Sequence, residues 1–345
     1  MIQNYFLYWL DYKCILCEKI KVLIVGGDTL EIKKLEENVR PGLRDVVRIK
    51  EMGNIIELMY QEKRNKTNVI KKLNANQYVD IRTGEVKEFK HIENRAQAIN
   101  DVRKSLGRLR DYINTNVTDI SKCKWVTLTY KENMTDTEKL YKDFRDFNKR
   151  MKYYLSKQGY KYEYIVAMEP QGRGAWHCHL LMIFDKKAPY IKNDSEDPKE
   201  ITMSSLWGNG YTKTKKLDGN VDNLGAYLTA YLADMELQES ADAGLIQYAV
   251  DGKYSISEVE LEEDGKKVTK GFIKGLRMVM YPPKFNIYRC SRGIKKPMIT
   301  YDSEIRAQKK ISAATLTFER TINLVDNDSD YSNTINYRYY NKIRK

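Results

Sequence analysis

The sequence predicts an α+β protein with a central antiparallel β-sheet and flanking helices, of the split βαβ kind. From residue 122 the hydrophobic spacing runs at period two, then 3.6, then two again twice, so the elements follow as strand, helix, strand, strand. The last two strands, YKYEYIVAME and AWHCHLLMIF, are joined by the short loop PQGRG and so pair antiparallel. A composition of 42% hydrophobic and 31% charged residues over 345 positions fits a folded soluble chain rather than a disordered one.

Taken in order, residues 1–90 read as an N-terminal accessory region. Its clearest element is the hairpin QYVDIRTGEVKEF, with Thr83-Gly84 at the turn. ENRAQAINDVRKSLGRLRDYINTNV then sets Ala98, Ile99, Val102, Leu106, Leu109 and Ile113 at helical spacing. Its other side, with Arg103, Lys104, Arg108 and Arg110, is either a solvated face or a DNA contact. CKWVTLTY alternates and is rich in β-formers, so it is a strand. Thr135-x-x-Glu138 is a capping box opening a helix with Leu140, Phe144, Phe147, Met151 and Leu155 along one stripe. Beyond the hairpin and a polar insert come a short helix around Leu206 and Trp207 and a strand in GYTKTKKL. The helix DNLGAYLTAYLADM follows, with Asp222 or Asn223 as N-cap. Residues 237–345 offer a charged hairpin, SEVELEEDGKKVTKGF, and a basic aromatic stretch, MYPPKFNIYRCSRGIKKP. The polar, tyrosine-rich tail after residue 325 reads as loosely ordered. The expected divisions are 1–90, a central domain 91–240, and a C-terminal accessory, DNA-binding region 241–345 with a flexible tail.

Lys and Arg number 60 against 47 Asp and Glu, a formal charge of +13 that favours nucleic acid or another polyanion. The 5 cysteines are scattered and follow no secretory signal, so a reducing cytoplasm is expected rather than a disulfide framework. Cys14 and Cys17 form a lone CxxC, which reads as a helix face rather than a zinc or redox site. No segment reaches the roughly 20 apolar residues of a membrane span, so a cytoplasmic protein without a membrane partner is expected. No GxxxxGK[ST] phosphate loop occurs, which leaves unwinding of DNA to a host helicase.

Of 3 histidines in the chain, His177 and His179 lie two apart in one apolar strand. Alternate side chains of a strand share a face. His177, His179, Leu181 and Ile183 therefore face one side, and Trp176, Cys178, Leu180, Met182 and Phe184 the other. Folding the hairpin about Arg173 sets Glu169 opposite His177 and Ala167 opposite His179, with opposed Cβ atoms about 4.5–5.5 Å apart. Two imidazoles and a carboxylate with open positions suit Mg2+, Mn2+ or another divalent ion. The plain alternative is a pair of strand histidines with no ligand.

Tyr227 and Tyr231 are four apart on one helix face. They belong either to the apolar stripe Leu224, Leu228, Leu232 and Met235 or to a reactive site. A phenol with a pKa near 10 is a weak nucleophile unless a cation on the target stabilises developing charge and aligns it.

The series WVTLTY, MEPQGRGAWHCHLLMIF, LWGNGYTKTKKL and NLGAYLTAYL resembles the HUH endonucleases. More closely, with TGEVKEFKHIENRA before it and MYPPKFNIYRCSRGIKKP after it, the series resembles the rolling-circle replication initiators of Gram-positive plasmids and related phages. The resemblance runs from about residue 78 to 297, and the HxH block is its most specific part. It implies a nicking domain around a Mg2+ or Mn2+ ion held by His177, His179 and Glu169. It also implies that Tyr227 cuts one DNA strand, leaving a 5′-phosphotyrosine and a free 3′-hydroxyl for a host DNA polymerase. Members often carry lysine three residues beyond the tyrosine, where this chain has Ala230. Tyr231 is then a second nucleophile or a packing residue. Arg173, Lys142, Arg145, Lys149 and Arg150 are phosphate contacts or ordinary solvated positions. The expected function is nicking and rejoining of single-stranded DNA at an origin. A mobilisation relaxase, a single-strand transposase and a non-catalytic basic DNA-binding regulator are the rivals.

Overall fold

The computed structural model describes residues 23–25, 28–64, 70–89, 91–217, 223–229, 232–247, 256–263, 266–326 and 330–344. Asn94–Pro297 forms one compact unit, and the described stretches up to Glu93 and from Met298 onward form the other. The expected edges lie near 90 and 240, whereas the compact units part at 93/94 and 297/298. The protein is α+β, and its sheets are antiparallel throughout the pairings described.

The chain opens with β1 (Leu23–Val25), β2 (Asp28–Lys34), β3 (Val46–Met52) and β4 (Ile55–Gln61), then the small meander β5 (Ile70–Lys72), β6 (Gln77–Asp80) and β7 (Val86–Glu88). The β6–β7 turn is the expected one, with Gly84 at φ 73°, a left-handed conformation that glycine adopts without a Cβ clash. In the second unit the long helix begins as a 3-10 turn over Arg95–Ala98 and continues as α1 (Ile99–Asn116), burying Val102, Leu106, Leu109 and Ile113. Next come β8 (Cys123–Thr129) and α2 (Thr137–Ser156). The cap of α2 is Asp136, one residue beyond the expected Thr135: its carboxylate accepts from Glu138 N at 2.8 Å and Lys139 N at 3.2 Å. A charged acceptor at a helix N-terminus also meets the positive end of the macrodipole, which favours Asp over the neighbouring hydroxyl.

The hairpin follows as β9 (Tyr162–Pro170) and β10 (Trp176–Phe184), then α3 (Met203–Trp207), β11 (Thr212–Lys215) and α4 (Leu224–Thr229). The unit closes with β12 (Met235–Glu236), α5 (Leu237–Asp242), β13 (Ile256–Glu263), β14 (Lys266–Ile273), a 3-10 turn over Leu276–Met280, and β15 (Tyr288–Cys290). β13 and β14 are the expected charged hairpin. The tyrosine helix is shorter than the sequence pattern suggests: α4 stops at Thr229, and Met235 and Glu236 already pair with β14.

The chain then returns to the first unit as β16 (Met298–Ser303), α6 (Glu304–Ile311), β17 (Thr315–Asp326) and β18 (Ser332–Asn341). Here the sequence expectation of a loose tail is corrected. β18 lies in the interior of the sheet ordered β1-β2-β17-β18-β4-β3-β16, with Ile335, Tyr339 and Tyr340 buried. Polar residues of the tail are satisfied inside the fold, most plainly by the fork of Arg338 on Glu304 at 2.5 and 2.8 Å, both side chains 2% exposed.

Candidate functional site: a histidine face on the five-stranded sheet

In the unit Asn94–Pro297 the central sheet has the order β11-β8-β10-β9-β15. Its register follows from the short hairpin loop. His177 pairs with Glu169 and His179 with Ala167 on one side, and with Thr129 and Thr127 on the other. The pleat divides the two faces. Trp176, Cys178, Leu180, Met182 and Phe184 are buried under α2, whose stripe Leu140, Phe144, Phe147, Met151 and Leu155 is also buried. Phe144 packs edge-on against Tyr164 of the same face with centroids 5.3 Å apart. Cys178 is fully buried and its thiol pKa is pushed up by that burial, which suits a core residue and not a ligand.

The other face carries the polar groups. His179 Nε2 lies 2.7 Å from Glu169 Oε2, and its ring stacks on Trp125 with centroids 5.8 Å apart and 12° between planes. The His177 ring stands 6.2 Å from that of His179, and its Nε2 is buried with no hydrogen-bond partner among the described residues. An unpaired buried donor or acceptor costs free energy, so an orphan of this kind points to a missing partner. Burial and then the nearby His179 lower the His177 pKa to about 4, so the imidazole is neutral at pH 7 and able to ligate. Burial alone would raise the pKa of Glu169, but the charges of Arg277 and His179 outweigh it and hold the carboxyl at about 2.

Arg277 is the residue that sequence reasoning missed. Its Nε lies 2.9 Å from Glu169 Oε1. The guanidinium also forks onto Glu239 at 2.9 and 2.7 Å, and donates to the Pro170 carbonyl at 2.8 Å and the Asp234 carbonyl at 2.9 Å. Glu239 in turn accepts from Gly172 N at 2.7 Å, tying α5 to the hairpin loop. One carboxylate oxygen of Glu169 thus faces Arg277 and the other faces the histidines. Among the described residues no group of three or more His, Cys, Asp or Glu is drawn together closely enough to hold a metal, because Glu169 and His179 are closed on each other. The donor chemistry nonetheless fits a divalent ion: two imidazole nitrogens, one of them orphaned, and a carboxylate kept ionised.

The tyrosine helix sits on the same side. Tyr288 of β15 pairs with Ala167, which puts it on the histidine face, and Tyr112 of α1 meets it edge-on at 6.1 Å. α4 docks on α1: Asn114 donates to Asn223 Oδ1 at 2.8 Å and accepts from Gly225 N at 2.8 Å, while Asn223 caps α4 through Ala226 N at 2.9 Å. Tyr227 lies in α4, but its side chain, Ala230, Tyr231 and the alternative cap Asp222 lie outside the described residues. The docking needs a bare backbone. A Cβ on Gly225 would come within 2.4 Å of the Arg110 carbonyl oxygen. Gly225→Ala is therefore expected to push α4 off α1, lowering the thermal midpoint measured by circular dichroism by several degrees, in line with a destabilisation of about 1–3 kcal/mol for overpacking. An unchanged midpoint would contradict the docking.

The basic residues separate by position. Arg173 is exposed at the hairpin tip, with weak contacts to Gln171 Oε1 at 3.3 Å and the Tyr130 carbonyl at 3.4 Å. Lys142, Arg145, Lys149 and Arg150 lie on α2, which covers the face away from the histidines. Lys142 and Lys149 pair with Asp146 at 3.3 and 3.6 Å, and Arg150 caps α3 through the carbonyls of Leu206 and Trp207 at 2.8 and 3.0 Å. Arg145 is exposed.

An antiparallel sheet with a histidine–carboxylate face under a docked tyrosine helix defines a class of candidate phosphodiester chemistry. The comparison with known families agrees on the broad role. The family of replication-associated proteins of the ORF2 type matches residues 123–236, the stretch from the start of β8 to the end of β12. The match supports a replication protein acting at initiation and, through that role, contact with DNA. It contains Glu169, His177, His179 and Tyr227, whereas Glu239 and Arg277 lie beyond it. No curated protein and no solved structure matches the chain. Among the described residues no helix is long and apolar enough to cross a membrane.

Proposed function

We propose that this chain nicks and rejoins single-stranded DNA at a replication origin through a tyrosine, starting rolling-circle replication as an HUH-type endonuclease of the plasmid and phage kind. The observation that carries the reading is the cross-strand set His177, His179 and Glu169, with the orphaned Nε2 of His177, inside the segment that the replication-associated family matches. These three residues would hold Mg2+ or Mn2+, which when bound supplies Lewis-acid polarisation of the scissile phosphate. His177 and Glu169 enter that role already neutral and ionised, the forms in which imidazole and carboxylate donate lone pairs. Tyr227 supplies the nucleophile: its Oη bonds to phosphorus, the bond to the 3′ oxygen breaks, and the proton balance is restored on the departing 3′-hydroxyl. Rejoining is the same exchange reversed, with a 3′-hydroxyl as attacker. Arg173, exposed beside the site, is placed to meet a phosphate, and a host helicase and polymerase would open and extend the duplex.

The test is incubation of the full chain with single-stranded oligonucleotides tiling the DNA that encodes it, with Mn2+ or Mg2+. A covalent protein–DNA adduct with a free 3′-hydroxyl on the other fragment is the expected product. A chain that binds the oligonucleotides and never forms the adduct overturns the nickase reading and leaves a DNA-binding regulator. His177→Ala is expected to weaken Mn2+ binding, read by calorimetry, by more than about 100-fold, beyond the 10–100-fold typical of losing an outer-shell partner. Unchanged Mn2+ affinity would remove His177 from the ligand set.

A further inference from the structure

The histidine face continues to an open edge. β11 is the edge strand, and its register with β8 extends the rows that cross the sheet. Lys213 pairs with Thr127, which pairs with His179; Lys215 pairs with Trp125, which pairs with Leu181. Thr129 N donates to the Tyr211 carbonyl at 2.9 Å, so Tyr211 ends the row that holds Thr129, His177 and Glu169. Tyr211, Lys213 and Lys215 are all exposed, Tyr211 to 64%. Their neighbours Thr212 and Thr214 point the other way: Thr212 Oγ1 lies 3.0 Å from Ser204 Oγ, and Thr214 bonds the Asn193 side chain at 2.8 Å. Neither lysine has an ion pair among the described residues. Two inter-strand steps of about 4.8 Å put the backbone of Lys213 roughly 10 Å from that of His179.

We propose that Tyr211, Lys213 and Lys215, flanked by Trp125, form a track that holds single-stranded DNA beside the histidine site. The proposal rests on the single-strand reading above and adds where the strand lies. Side chains on one face of a strand repeat every two residues, about 6.6 Å, which is comparable with the spacing of successive phosphates along an extended strand. Lys213 and Lys215 then meet successive phosphates, while Tyr211 offers a ring on which a base stacks. Such a track reads no sequence; it steers any single strand towards the histidines. Lysines on an edge strand have another use, since they discourage edge-to-edge pairing between copies of a protein. The two uses give different results when the charge is reversed.

The experiment is fluorescence anisotropy of a labelled oligothymidylate with the full chain over a range of salt, with EDTA present so that no cleavage occurs. Lys213→Glu with Lys215→Glu is expected to weaken binding by at least about tenfold at low salt. It should also make the salt dependence shallower by about 1.4, or about 0.7 for each single-strand phosphate that a lysine no longer neutralises. Tyr211→Ala is expected to cost about fivefold or more with the salt slope unchanged. Lys152→Glu with Lys157→Glu makes the same charge change at exposed positions on the opposite side of the sheet and should cost less than about threefold. Binding by the Lys213, Lys215 variant within twofold of wild type overturns the track. So does an equal loss in the Lys152, Lys157 variant, which would mean bulk charge, and so does aggregation with binding retained, which would mean edge protection. A wild-type chain that ignores the oligonucleotide fails the single-strand reading itself, and the track with it.

Discussion

Tyr227→Phe is expected to abolish the covalent DNA adduct, to below about one part in a thousand of wild type, while oligonucleotide binding stays within about twofold. The substitution removes one oxygen, the atom that would bond to phosphorus, and keeps the ring. Structure elsewhere has no reason to change, because α4 is held on α1 by Asn114, Asn223 and the bare backbone of Gly225, not by a phenol hydroxyl in those contacts. No other described group stands ready to replace it, since a nucleophile must be an exposed, activatable oxygen or sulfur and Cys178 is buried on the opposite face. Mass spectrometry of the wild-type adduct settles the position directly. Trypsin cuts after Lys216 and next after Lys253, so one peptide carries both Tyr227 and Tyr231, and fragmentation has to place the nucleotide mass between Ala226 and Leu228. Adduct persisting in Tyr227→Phe, with the added mass on Tyr231, would move the nucleophile one helical turn along and recast Tyr227 as a packing residue.

The features of this site that were legible in the sequence are those set by local geometry. A five-residue loop between two alternating strands leaves little choice of register, so Glu169 opposite His177 follows from counting, and the pleat then assigns Cys178 to the core. The polar insert, the short helix at Trp207 and the β13–β14 hairpin were legible for the same reason. What sequence could not supply is pairing between distant segments. β18 reads as a loose polar tail because its alternation is diluted by Asn, Thr and Arg, and only the partners of those residues, such as Glu304 on Arg338, make them fit a sheet interior. α4 ends early because β14 claims Met235 and Glu236, a competition invisible in an apolar stripe. Arg277 was missed because it sits on a 3-10 turn more than a hundred residues from Glu169, in a stretch with no motif. The one local hint was the acidic partner Glu239, which looks like any helix-surface glutamate.

Arg277→Ala is expected to be the most destabilising single change at the site, by about 3–5 kcal/mol, because it removes one partner of a buried ionic cluster and leaves the others unpaired. Arg277 is 7% exposed and stands between Glu169, 14% exposed, and Glu239, 28% exposed. Without it two carboxylates face each other across the hairpin loop, and the Pro170 and Asp234 carbonyls lose their donor. Urea unfolding followed by the fluorescence of Trp125, Trp176 and Trp207, all within the unit Asn94–Pro297, measures the loss. Stability alone does not tell a structural arginine from one that sets the site, and Arg277→Lys makes that distinction. Lysine keeps the charge, so the cluster stays neutralised and most of the stability remains. It lacks the planar fork that engages Glu239 bidentately while touching Glu169 with Nε, so Glu169 is no longer held with one oxygen towards the histidines. If that orientation matters, Arg277→Lys folds with a near-normal urea midpoint and binds Mn2+ about 10–100-fold more weakly, the range lost when outer-shell partners of metal ligands are removed. Wild-type Mn2+ affinity in a well-folded Arg277→Lys chain would show that Glu169 is placed by the sheet register alone, with Arg277 serving only to neutralise it.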